Sequence, residues 1–168
     1  MTCPNTTLSP KRPATRTTHF RMSEFSSPGV PKANGRHTAR VPVPAKLHSN
    51  AVALMRELEI IRTALGGASV RIISGYRTLA YNKLNKGRAS KSLHLQAKAA
   101  DIVVRDKEGK KIRPQRVYWV IKDLMNAGAI TKGGLAAYPS FVHYDIRGRV
   151  ARWRKAPSRP VRGLGAAK

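Results

Sequence analysis

Large apolar residues are unevenly spread along the chain. Residues 1–45 are rich in Pro, Thr, Ser, Lys and Arg and poor in large apolar side chains, a composition that rarely offsets its own ordering entropy. Residues 19–25 carry Phe25 and Met22 and are expected to dock on the core, followed by a flexible loop over residues 26–43. From Pro44 the pattern changes. Leu47, Val52, Leu54, Met55, Leu58, Ile61 and Leu65 recur at three- and four-residue spacings, which predicts an amphipathic helix ended by Gly66 and Gly67. Residues 70–73 (Val-Arg-Ile-Ile) predict a buried strand, and residues 74–77 (Ser-Gly-Tyr-Arg) leave the sheet at its end. Residues 78–91, with Asn82, Asn85, Gly87 and several cations, read as a helical turn and a loop. Residues 99–104 read as another strand and residues 105–111 as a charged turn around Gly109. Pro114 suits the first turn of a second helix, with Val117, Trp119, Val120, Ile121, Leu124 and Met125 as its apolar side and Gly128 near its stop. Phe141, Val142 and Tyr144 mark a last strand, which sets His143 and Asp145 on one face.

Composition narrows the reading. A chain of 168 residues has room for one domain with a real core. Its 33 Lys and Arg against 8 Asp and Glu give a net charge of +25, which calls for a polyanionic partner: nucleic acid, anionic lipid, or the phosphate and carboxylate polymers of a bacterial wall. Cys3 is the only cysteine, which excludes an intrachain disulfide and zinc ligation by several thiolates. No apolar run approaches the roughly 20 residues that cross a bilayer, and the first 45 residues hold no apolar signal-peptide core. A cytoplasmic protein, one released by lysis, or a phage or virion component would each fit. A transit peptide is a further reading of the basic, hydroxyl-rich N-terminus, and its prolines count against it. The chain is expected to be a monomer.

The candidate chemistry sits in residues 92–101 (Ser-Leu-His-Leu-Gln-Ala-Lys-Ala-Ala-Asp), where a histidine and a carboxylate stand among small and apolar residues. His94 and Asp101 could be half of a metal site, or an unrelated surface pair. On one helix their Cα atoms would lie roughly 10 Å apart, and on one straight strand they would face opposite ways. The chain must therefore bend, with residues 96–98 the expected place. Of the five histidines, His19, His37 and His48 lie in or beside the region with little core material, which leaves His143 as the natural third ligand.

These residues resemble the zinc D-alanyl-D-alanine carboxypeptidases and related peptidoglycan peptidases, a peptidase M15-like family whose fold is shared by the hedgehog signalling domain. The pattern Ser-x-His-x-x-Gly-x-Ala-x-Asp is met by Ser92, His94, Ala99 and Asp101, with Ala97 where Gly is usual, and Phe-Val-His-x-Asp is met at residues 141–145. Residues 74–77 look like the family's substrate-carboxylate arginine motif, and residues 19–25 look like the start of one bacterial and phage branch. The resemblance implies an α+β fold, a small antiparallel sheet flanked by helices, over residues 19–155, while composition alone predicts disordered basic tails at residues 1–18 and 156–168. It also implies Zn2+ held by His94, Asp101 and His143, a substrate carboxylate on Arg77, and a hydrogen bond from Ser92 to a peptidoglycan stem peptide. Several branches place an acidic base three residues before the last histidine, where this chain has Ser140. Asp145 is then the remaining candidate for the catalytic base, or an orienting partner of His143. Two functions follow: a zinc peptidase of stem peptides drawn to an anionic wall polymer, or a catalytically idle relative whose basic surface binds nucleic acid or an assembly.

Overall fold

A computed structural model describes residues 16–84 and 89–158. Asn85 and Gly87, and most of the two basic tails, lie outside the described residues. The fold is α+β. Helix α1 (His48–Ala64) is led in by a 3-10 turn (Ala45–Leu47) and stopped at Gly66 and Gly67, whose φ values of 74° and 75° suit glycine. Strand β1 (Ser69–Ser74), the short helix α2 (Leu79–Lys83), a 3-10 turn (Leu93–Gln96), strand β2 (Ala99–Arg105) and helix α3 (Pro114–Asn126) follow. Strands β3 (Leu135–Ala137) and β4 (Val142–Asp145) complete an all-antiparallel sheet of order β1-β2-β4-β3.

One face of the sheet carries the helices. Ala100, Ile102 and Val104 of β2 and Val142 and Tyr144 of β4 are buried with Leu54, Met55, Leu58 and Ile61 of α1 and Val117, Tyr118, Ile121 and Met125 of α3. Tyr118 joins this core beside the apolar positions that helical spacing predicts. Trp119 is half-buried, and its indole N–H donates to the Pro157 carbonyl at 3.2 Å. Strand β1 differs from the buried strand expected of it. It lies at the sheet edge with β2 as its only strand neighbour, so only Val70 is fully buried and Ile73 is 43% exposed. The register slips between Ile72 and Ser74, and this bulge sets Ser74 opposite Asp101.

The opposite face of β2 and β4 holds the chemistry. Asp101 pairs with His143 across the two strands and Ala99 pairs with Asp145. A slip of one residue would turn this whole set toward the helices.

The N-terminal arm closes over the core with Phe20 and Phe25, both fully buried. Glu59 on α1 holds its start, accepting hydrogen bonds from the Thr17 hydroxyl, the His19 amide and the His19 ring, each at 2.7 Å. Residues 26–43 double back as a loop whose base is closed by two backbone hydrogen bonds between Ser27 and Val41, at 2.8 and 2.9 Å. Ser27 is buried there, and its hydroxyl accepts from the Thr78 amide at 3.1 Å.

Burial pushes the Glu59 carboxyl up, but the bonds from Thr17 and His19 outweigh it and hold the group below its ordinary range. Its contribution is therefore present above the usual glutamate pKa and lost as pH falls through the folded value. Glu59→Ala is expected to cost about 1–2 kcal/mol at neutral pH and to speed amide exchange at His19. Urea denaturation should show the difference between the two proteins shrinking as the solution is made acidic.

Candidate metal centre

Three strands and turns converge on one corner. His94 sits on the 3-10 turn Leu93–Gln96, Asp101 in the middle of β2, and His143 opposite it on β4. The bend expected between His94 and Asp101 falls at Ala97, which takes the left-handed conformation at φ 52° and ψ 29°. That conformation costs a non-glycine residue about 1–2 kcal/mol. The Ala97 methyl is fully buried, which returns about 0.8 kcal/mol and offsets part of that cost.

His94 is fixed by reciprocal bonds to the turn after β1. Its Nδ1 lies 2.6 Å from the Gly75 carbonyl, and the Arg77 amide donates to the His94 carbonyl at 3.0 Å. A carbonyl only accepts, so Nδ1 carries the proton and Nε2 presents a lone pair to the corner. Gly75 is demanded by close approach: a Cβ there would stand 2.8 Å from the Phe25 Cα. The N-terminal arm therefore presses on the turn that orients His94.

The Asp101 carboxylate shares its two oxygens. Oδ1 lies 2.8 Å from His143 Nδ1 and 3.4 Å from His94 Nε2, and Oδ2 accepts from the Arg77 guanidinium at 2.5 Å. His94 Nε2 and His143 Nδ1 are 3.3 Å apart. One donor atom from each of the three residues thus lies within 4.8 Å of the others, a group that could hold a metal ion.

His143 is gripped from its far side. Its Nε2 lies 3.1 Å from Asp145 Oδ2, and Asp145 in turn accepts from Arg147 Nε at 2.8 Å, from a second Arg147 nitrogen at 2.6 Å, and from the Gly134 amide at 2.9 Å. The glycine pair 133–134 is what admits this carboxylate. A Cβ on Gly134 would stand 2.1 Å from Asp145 Oδ2, and one on Gly133 would stand 1.7 Å from the Asp145 carbonyl oxygen.

Electrostatics follow the contacts. Burial pushes the His94 pKa down, in keeping with a neutral ring. Burial would lower His143 too, but hydrogen bonds to Asp101 and Asp145 outweigh it and raise its pKa, because both ring nitrogens face carboxylates. Burial alone would raise both carboxyls. Hydrogen bonds from His143 and His94 hold Asp101 well below the usual range, and those from His143, Arg147 and Gly134 do the same for Asp145.

The remaining candidates fall around this corner. Arg77 spends one guanidinium nitrogen on Asp101 and its Nε on the Ser74 hydroxyl at 2.8 Å. Ser92 is half-buried and caps the 3-10 turn through its carbonyl, which accepts from the Leu95 amide at 3.1 Å. Ser140 is exposed in the turn between β3 and β4. Sequence reasoning passed over Arg147, the Gly75 carbonyl and Trp153, whose ring meets His143 edge to face at 4.9 Å. Only the abundance of Arg and a lone late Trp marked those positions.

A family model described as Peptidase M15 matches residues 19–145. Neither a curated protein nor a solved structure matches the chain.

Gly134→Ala should force Asp145 away from His143 and weaken binding of a divalent probe ion about 10- to 100-fold. Competition against a chromophoric chelator measures it. Unchanged affinity would mean that the Asp145 contact does not set the His143 ring.

Proposed function

The chain belongs to the peptidase M15 family, and we propose that it is a zinc metallopeptidase acting on peptidoglycan stem peptides, at a D-Ala-D-Ala end or at a cross-bridge. The observation that carries this reading is the spacing of the three donor atoms. Ligands about 2.0–2.1 Å from a tetrahedral zinc stand about 3.3–3.4 Å apart; His94 Nε2 lies 3.3 and 3.4 Å from the other two donors, and the His143 Nδ1–Asp101 Oδ1 pair, at 2.8 Å, would have to part by about half an ångström to admit the ion. Imidazole nitrogen and carboxylate oxygen are also the donor types of catalytic zinc sites.

Bound zinc would polarise the scissile carbonyl and lower the pKa of a bound water toward about 7. Each protein ligand has its own support for that task. Gly75 fixes the tautomer of His94, Arg77 holds the outer oxygen of Asp101, and Asp145 takes the outer nitrogen of His143. Supports of this kind orient ligands and raise their basicity. We assign Asp145 the orienting role, since its oxygens are engaged by His143, Arg147 and Gly134. Ser92 keeps its proposed hydrogen bond to the substrate peptide. The basic surface would gather the enzyme on an anionic wall polymer. Among the described residues no helix is long and apolar enough to cross a membrane.

One observation favours a second reading, a catalytically idle relative that binds nucleic acid or an assembly. Most of the eight carboxylates are engaged: Glu24 accepts from the Arg21 amide, Glu57 from Tyr144 and Thr131, Glu59 from the arm, Asp106 from the Lys110 amide, and Asp101 and Asp145 serve the histidines. Asp123 on α3 is engaged as well, and Glu108 is exposed on the turn after β2. No acid stands where several branches carry their base.

Two experiments separate these readings. Zinc-loaded protein incubated with purified peptidoglycan fragments should yield new fragments whose masses identify the bond, and His94→Ala should yield none. Absence of release despite one bound zinc per chain, together with salt-dependent DNA retention that survives His94→Ala, would transfer the assignment to the binding module. Arg77→Ala reports which partner that guanidinium serves. Weakened zinc affinity, by about tenfold or more, is expected if it anchors Asp101. A raised KM for peptides with a free terminal carboxylate, at unchanged zinc affinity, would make it the substrate clamp.

A further inference from the structure

Beside His143 the surface opens into a groove of about 500 Å3, lined by Ala137, Tyr138, Pro139, Trp153, Arg154 and Lys155 among others. Trp153 belongs to both places: one edge of its ring meets His143, and 45% of the residue is exposed. It is nonetheless held firmly. Its indole N–H donates to the Tyr138 hydroxyl at 3.1 Å, and Arg147, which also grips Asp145, lies over the ring at 5.6 Å. Tyr138 is fixed in the same way, stacked on Phe141 at 4.4 Å and covered by the Arg154 guanidinium at 4.6 Å. Arg154 Nε donates to the Ala137 carbonyl at 3.1 Å, which fixes the cation at the groove wall. The result is a rigid aromatic floor beside the donor cluster, bordered by two cations and by no carboxylate among the lining residues.

We infer that this groove is a subsite for an acidic segment of the substrate peptide, the backbone lying on Trp153 and Tyr138 and a side-chain carboxylate meeting Arg154 and Lys155. Preformed aromatic platforms bind extended chains at low entropic cost, and guanidinium pairs carboxylate with directed hydrogen bonds. The inference rests on the reading of the corner as a peptidase centre, and it adds a preference for acidic over neutral peptides.

The test is fluorescence polarisation of an end-labelled tetrapeptide containing glutamate, against its glutamine counterpart, titrated with zinc-loaded full-length protein at physiological ionic strength and read before turnover. The glutamate peptide should bind roughly tenfold more tightly. Arg154→Met combined with Lys155→Met should bring that ratio close to one. Trp153→Ala, measured at saturating zinc, should weaken both peptides alike. Arg56→Ala, which removes an exposed cation of α1 that does not line the groove, should leave the ratio unchanged. An equal fall of the ratio in Arg56→Ala would assign the preference to the diffuse charge of the chain and overturn the subsite, as would a ratio near one in the native protein. The peptidase reading fails separately. Absence of cleavage with the tenfold ratio intact overturns the enzyme and keeps the groove, whereas cleavage of both peptides at equal KM does the reverse.

Discussion

A buried carboxylate opposite a histidine is the constraint on which the rest of this fold depends. Asp101 is 6% exposed and faces His143 across β2 and β4, with His94 and Arg77 on its remaining sides. A charge taken so far from water is tolerated only when paired and hydrogen-bonded. Every structural decision nearby serves that pairing. The bulge in β1 brings Ser74 opposite Asp101 and sends the chain out through Gly75 to Arg77, and the left-handed turn at Ala97 carries His94 back over the strand that holds Asp101. The arm that packs Phe25 on Gly75 braces the turn from outside.

The supports are arranged one per histidine or carboxylate. A backbone carbonyl orients His94, a guanidinium compensates Asp101, and a carboxylate with its own guanidinium orients His143. On the far side of the sheet Tyr144 donates to Glu57, and burial first, then that bond, raises the tyrosine pKa. The residue after His143 is thus tied to α1, and β4 cannot slide without breaking polar contacts on both faces. This strand is short, and such double anchoring supplies a register that four residues of backbone pairing would hold weakly.

Much of this was legible in the sequence. Helical periodicity located α1 and α3, and Gly66 and Gly67 located a stop. A separation of seven positions between His94 and Asp101 required a bend, and period-two alternation placed His143 with Asp145. What escaped depends on tertiary approach. Gly75, Gly133 and Gly134 read as loop residues until Phe25 and Asp145 are seen against them, because the need for a missing Cβ is set by distant neighbours. Val70, Ile72 and Ile73 are apolar enough for an interior strand, yet sheet order leaves β1 at the edge. The Arg77 partner was hidden because 33 cations share the chain with so few acids, and only position selects among them. The groove around Trp153 is assembled from the β3–β4 turn and the segment after β4, which no local pattern links.

X-ray absorption at the zinc edge of the fully loaded chain addresses the centre most directly. Two imidazole nitrogens and carboxylate oxygen at about 2.0–2.1 Å, with imidazole scattering reduced in both His94→Ala and His143→Ala, are the predicted result. A shell built from oxygen alone, or one with sulfur at about 2.3 Å contributed by Cys3, would contradict it.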